Sequence, residues 1–61
     1  MNPTYTYKEA LALMISLDLE GLELMNDLIS EESLGYSAIE YEKITTALEY
    51  LMRDEKKKKG F

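Results

Sequence analysis

The sequence predicts an all-α fold, a small three-helix bundle with helices at about residues 6–18, 20–33 and 37–56. Apolar residues recur at helical spacing in each of these ranges, and no stretch alternates apolar and polar residues as a half-buried strand does. Capping-box sequences stand at the start of the first and third ranges. Because 61 residues suffice for one domain only, we expect residues 1–61 to form a single small helical domain.

The first helix is predicted to begin after Thr6, because Thr6-Tyr7-Lys8-Glu9 matches a capping box. In that motif the hydroxyl accepts a hydrogen bond from the Glu9 amide, and the Glu9 carboxylate accepts one from the Thr6 amide. Asp18 would fall on the apolar face of this helix and Gly21 follows soon after. The helix should therefore end between Leu17 and Leu19.

The first helix is apolar on most of its circumference, so it needs neighbours on two sides. Leu13, Ile15 and Leu19 remain uncovered once one face is buried. Self-association through these three residues, in a two-fold homodimer, is one way to cover them. The alternative is a central position of this helix between the other two.

The second helix has an apolar half and an acidic half. Its predicted inner residues are Leu22, Leu24, Met25, Leu28 and Ile29. Its outer half carries a row of four carboxylates, at Glu20, Glu23, Asp27 and Glu31. Neighbours in this row are about 5 to 6 Å apart, a spacing that approaches that of successive phosphates. The acidic row predicts either a binding surface for a basic partner protein or a solvated helix face.

The third helix is predicted to follow Gly35, a candidate left-handed helix terminator, and a second capping box at Ser37 and Glu40. Tyr36 and Tyr41 occupy the two positions of a hydrophobic staple. The residues expected to face inward are Tyr41, Ile44, Leu48 and Leu51, with Ala47 and Met52 beside them.

The opposite side of the third helix carries a mixed stripe, made of Ile39, Lys43, Thr46, Tyr50 and Arg53. Tyrosine and arginine are enriched at binding hot spots, so the stripe predicts a contact with another protein. Single exposed apolar residues are also ordinary on helices, which is the alternative.

Charge is distributed unevenly along the chain, whose net charge is −5. From Glu9 to Glu42 there are nine acidic residues and no basic one. Residues 56–61 form a basic C-terminal tail, predicted to fray after it has stabilised the end of the third helix. Four lysines without arginine or interleaved aromatics predict nucleic-acid binding only weakly, and the acidic body disfavours direct DNA binding.

The chain has no cysteine and no histidine, which excludes disulfides, thiolate nucleophiles, imidazole bases and Cys/His zinc sites. Neither a phosphate-binding glycine loop nor an EF-hand loop is present. We therefore expect no enzyme activity, no catalytic residue, no cofactor and no metal. The longest apolar run is far shorter than a membrane span, and with no signal peptide we expect a cytoplasmic protein.

These observations predict a small acidic regulatory protein that binds and modulates another protein, with inhibition as the expected outcome. The acidic row and the mixed stripe are its predicted partner-binding surfaces, and charge mimicry of nucleic acid is one form this binding could take. Small acidic proteins of this kind occur among the inhibitors encoded by bacteriophages and mobile elements. One alternative is a structural module that only assembles with itself, and another is a nucleic-acid-binding protein that uses the lysine tail.

Overall fold

The computed structural model describes residues 3–58 and residue 60, and it confirms the all-α three-helix fold. Helix α1 comprises Tyr7–Ile15, α2 comprises Leu19–Glu31 and α3 comprises Ala38–Lys58. A single 3₁₀ turn, Ser33–Gly35, separates α2 from α3. The described residues include no β-strand, and none of their helices is long and apolar enough to cross a membrane.

Both predicted capping boxes are confirmed. At the start of α1, the Glu9 amide donates to Thr6 Oγ1 at 3.2 Å and the Thr6 amide donates to Glu9 Oε1 at 3.0 Å. At the start of α3, the Glu40 amide donates to Ser37 Oγ and the Ser37 amide to Glu40 Oε1, both at 3.1 Å. The hydrogen bonds from Thr6 hold the pKa of the Glu9 carboxyl below its usual value.

The prediction that α1 continues to Leu17–Leu19 is wrong, because α1 ends at Ile15. The Ser16 hydroxyl donates to the Leu13 carbonyl oxygen at 2.9 Å, which stabilises the end of the helix. Asp18 then caps α2, and its carboxylate accepts a hydrogen bond from the Gly21 amide at 2.8 Å. Gly21 therefore belongs to the first turn of α2 and terminates nothing.

The end of α2 also differs from the prediction, since the helix stops at Glu31 and not at residue 33. Gly35 is not left-handed: among the described residues, only Gly60 has a positive φ. Gly35 is needed for space, because a Cβ atom there would lie 2.8 Å from Cδ of Pro3. The glycine lets the N-terminal segment cross directly over the 3₁₀ turn.

Three side-chain contacts fix the N-terminal segment to the junction of α2 and α3. The Thr4 amide and hydroxyl donate to the Glu32 carboxylate at 3.0 to 3.2 Å. The Tyr36 hydroxyl donates to the Tyr5 carbonyl oxygen at 2.5 Å. Because Tyr5 and Tyr36 each lie shortly before a helix, α1 and α3 begin at the same end of the bundle. The helices therefore run up, down and up.

The core lies where the three helices meet. Its buried residues are Ala10, Met14, Leu22, Met25, Ile29, Tyr36, Ile44 and Leu48. Partly buried residues, among them Tyr41, Ala47, Leu51 and Met52, pack against this cluster. Leu24 departs from the prediction and is 66% exposed, because it lies at least 100° around α2 from Leu22, Met25 and Ile29.

Helix α3 is the longest element, with 21 residues against 13 in α2 and nine in α1. At 1.5 Å per residue it is about 12 Å longer than α2 and about 18 Å longer than α1. The molecule is correspondingly elongated, with principal extents of 39 × 18 × 18 Å. The helix continues two residues beyond the predicted end, through Lys58, while Lys59 and Phe61 of the predicted tail lie outside the described residues.

Candidate functional site

A groove of about 800 Å³ runs between α1 and α3. Residues of both helices line it, whereas α2 contributes no residue to its described lining. On α3 the groove extends from Ile39 to Leu51, about 18 Å or more than three helical turns. Its lining residues are Leu11, Met14, Ile15, Ile39, Glu42, Lys43, Thr46, Ala47, Tyr50 and Leu51.

The groove collects most of the large exposed apolar side chains on one surface. Ile15 is 75% exposed, Ile39 66% and Tyr50 69%, and all three line the groove. Two further large hydrophobic residues of the described chain are exposed, Leu24 on α2 and Leu34 in the 3₁₀ turn. Scattered apolar residues are normal, but a continuous apolar groove is typical of a site where another helix or ligand packs.

The polar residues of the groove come from α3 alone. Glu42 and Lys43 are both exposed and carry opposite charges, and Thr46 lies one turn further along the helix. A smaller cavity of about 160 Å³ adjoins the groove at Tyr50 and is lined also by Arg53, Asp54 and Lys57. The groove is thus an apolar floor flanked by charges of both signs.

The structure brings together residues that the sequence analysis assigned to two different surfaces. Ile39, Lys43, Thr46 and Tyr50 of the mixed stripe line the same groove as Ile15 of the predicted self-association set. Arg53 lies just beyond, in the adjoining cavity. The other two members of the self-association set lie elsewhere: Leu13 packs partly against the core, and Leu19 is half-buried at the start of α2.

Sequence reasoning missed Glu42 and the floor residues Leu11, Met14, Ala47 and Leu51 as parts of this surface. Glu42 could have been found, because it lies three residues after Ile39 and four before Thr46 on the same stripe. The floor residues had been assigned to the interior. In the structure Met14 is buried, and Leu11, Ala47 and Leu51 are partly buried, so these residues belong to the core and form the floor of the groove at the same time.

The acidic row of α2 lies on the face opposite the buried side of that helix. Glu20, Glu23, Asp27 and Glu31 are all exposed. None of the four carboxylates accepts a hydrogen bond or forms an ion pair in the described part of the chain. Four other acidic residues of the same region do have structural roles, as caps or as the tie to the N-terminal segment: Glu9, Asp18, Glu32 and Glu40.

The last turn of α3 carries the described lysines of the predicted tail. Lys58 Nζ lies 3.4 Å from the Asp54 carboxylate and 3.7 Å from that of Glu55. The hydrogen bond to Asp54 and the charges of both carboxylates raise the pKa of Lys58 above its usual value. The Lys58 side chain therefore lies along α3, against carboxylates of the same helix.

The fold and its surfaces define an all-α three-helix bundle with an open apolar groove on one side and an unpaired acidic row on another. Within residues 3–58 and 60, no group of three acidic side chains is arranged to hold a metal ion. Comparison of the chain with protein-family models, with curated proteins and with solved structures finds no match.

Proposed function

We propose that this chain is a small non-enzymatic regulatory protein that binds another protein carrying a basic surface and inhibits it by covering that surface. The acidic row of α2 is the contact in this proposal. The single observation that carries it is that all four carboxylates of the row are exposed and unpaired within the described chain. Nearby carboxylates, in contrast, are used to hold the fold together.

Electrostatics supports a basic partner. The row extends from Glu20 to Glu31, which is about 16 Å along the axis of α2. No basic residue occurs between Glu9 and Glu42 to neutralise it. A surface of one sign accelerates association with a surface of the opposite sign and disfavours partners of like charge.

Inhibition follows from what basic protein surfaces usually bind. A row of carboxylates at near-phosphate spacing competes with nucleic acid for the same basic groove, because both present regularly spaced negative charges. The partner would then be blocked without any chemical reaction. A cytoplasmic location is part of this proposal, and the lack of cysteine fits a reducing compartment.

The proposal is tested by reversing the centre of the row. The variant Glu23→Lys/Asp27→Lys raises the net charge by four, and both positions are exposed, so the fold should be retained. The control Glu49→Lys/Glu55→Lys makes the same change in net charge on α3, outside the row; because it also removes the contact between Glu55 and Lys58, circular dichroism first establishes that it is folded. Proteins captured from lysate by the wild type are identified by mass spectrometry, and the affinity of each purified candidate is measured by calorimetry.

We expect one stoichiometric partner whose affinity falls at least about tenfold in the row variant and changes little in the control. Its affinity for the wild type should also fall with increasing salt. Equal losses of affinity in both variants would show that only the net charge of the chain matters, which contradicts a specific contact by the row. Full affinity in the row variant would overturn the proposal.

A further inference from the structure

The groove between α1 and α3 has dimensions that suit the packing of a fourth helix. It is more than three turns long, apolar along its floor and open on the side away from α2. Three large apolar side chains that line it, Ile15, Ile39 and Tyr50, are 66 to 75% exposed.

We propose that α3 of a second copy of this chain occupies the groove, antiparallel to the first and related to it by a two-fold axis near Thr46 and Ala47. The two α1–α3 pairs then form a four-helix layer, with the two α2 helices outside it. This inference is independent of the proposed function, which rests on the acidic row.

The charges beside the groove are self-complementary in this arrangement. A two-fold axis perpendicular to two antiparallel helices brings the same flank of each helix together. Glu42 and Arg53 lie 11 residues apart on one flank, on opposite sides of the axis. Each copy's Glu42 therefore meets the other copy's Arg53, and this ion pair occurs twice.

The other flank is complementary as well. The midpoint of Lys43 and Tyr50 in the sequence lies between residues 46 and 47, at the proposed two-fold axis. Each lysine therefore meets the tyrosine ring of the other copy. An ammonium group over a tyrosine ring is a favourable cation–π contact. The exposed ring of Tyr50 would be covered by this contact.

The net charge of −5 on each copy opposes dimerisation less than its size suggests. The acidic row belongs to α2, and the described lining of the groove contains no residue of α2. Two copies can meet through the groove while their acidic rows stay on the outer sides. A partner helix of a single charge sign would, in contrast, meet a like charge at either Glu42 or Lys43.

The test uses charge reversal at the predicted ion pair. At about 100 μM, sedimentation equilibrium of the wild type should give twice the 7.1 kDa chain mass. Glu42→Arg and Arg53→Glu each place like charges opposite each other twice, so each variant alone should dimerise at least about tenfold more weakly. Circular dichroism establishes that the monomers are folded.

Mixing the two variants provides the decisive measurement. A chain carrying Glu42→Arg and a chain carrying Arg53→Glu restore both ion pairs in a heterodimer, which native mass spectrometry separates from the homodimers. We expect the heterodimer to dominate. A monomeric wild type, or a dimer that neither reversal weakens, would overturn the proposal, as would a mixture without heterodimer enrichment.

The same experiment separates this inference from the proposed function. The row variant Glu23→Lys/Asp27→Lys should remain dimeric, since the row does not line the groove. If that variant loses its partner protein and keeps its dimer, both proposals stand. Loss of the dimer in the row variant would contradict the placement of the interface in the groove.

Discussion

A single phenol connects the starts of two helices. The Tyr36 ring is buried in the core, while its hydroxyl donates to the carbonyl oxygen of Tyr5, 31 residues earlier in the chain. Burial raises the pKa of this phenol above its ordinary value of 10.0, and the nearby negative charges of Glu32, Glu40 and Glu9 raise it further. The folded state therefore favours the neutral form of Tyr36.

We predict that Tyr36→Phe lowers the free energy of unfolding by about 1 kcal/mol at neutral pH, because the Tyr5 carbonyl loses its partner. The variant should also lose part of the alkaline destabilisation. With the folded pKa raised, the folded chain keeps a proton that the unfolded chain releases, so stability falls as the pH rises past 10.0. Urea unfolding of both proteins on either side of that pH measures the difference. Parallel pH dependences would contradict this role of Tyr36.

At the scale of elements, the crossing of the N-terminal segment over the 3₁₀ turn depends on the missing side chain of Gly35. A Cβ atom there would approach the Pro3 ring to 2.8 to 3.1 Å, so one of the two segments would have to move. We predict that Gly35→Ala lowers the free energy of unfolding by about 1 to 3 kcal/mol, as overpacking does elsewhere. Chemical denaturation measures this loss.

A double-mutant cycle with Pro3→Ala identifies the cause. Because the clash is with the proline ring, the double variant should be more stable than the sum of the two single effects predicts. Gly21→Ala is the control, since this glycine lies inside α2 and a Cβ atom there would lie 3.1 to 3.3 Å from side-chain atoms of Leu17 and Asp18, far from Pro3. The gain in helix propensity and these tight contacts oppose each other, so alanine there should change stability by less than about 1 kcal/mol. Additive effects in the cycle would refute the proposed contact.

The helices also show which structural features could be predicted from the sequence. Both capping boxes were predictable, because their hydrogen bonds join residues three apart in the chain. The function of Gly35 was not, because its neighbour Pro3 is 32 residues away and only the folded chain brings them together. Local patterns thus define where these helices start better than where they end.

The groove, too, could be predicted from the sequence only in part. Its outer residues Ile39, Lys43, Thr46 and Tyr50 were predicted as one stripe from helical periodicity alone. That Ile15 joins them depends on the parallel course of α1 and α3, which is a result of packing. The acidic row was visible in the sequence because it lies within one helix, but its freedom from ion pairs required the structure.

For the whole molecule, the arrangement of charge predicts a response to salt. Neighbouring carboxylates of the acidic row repel one another at about 5 to 6 Å. Raising NaCl from about 0.02 to 0.5 M screens this repulsion and should raise the melting temperature of the wild type. In Glu23→Lys/Asp27→Lys two of the three neighbouring pairs in the row, 20/23 and 27/31, become attractive, so the same salt series should raise its melting temperature less. Identical salt responses would show that the row does not strain the fold.

The long α3 also places the two ends of the described chain at opposite poles. Pro3 lies against the 3₁₀ turn that precedes α3, while Lys58 ends a helix about 31 Å long. Most domains have their termini close together, which makes them easy to permute or to insert into a host loop. Here a circular permutant would need a linker of about nine extended residues to join the two poles. Copies fused in tandem would instead continue in one direction, as a string of bundles.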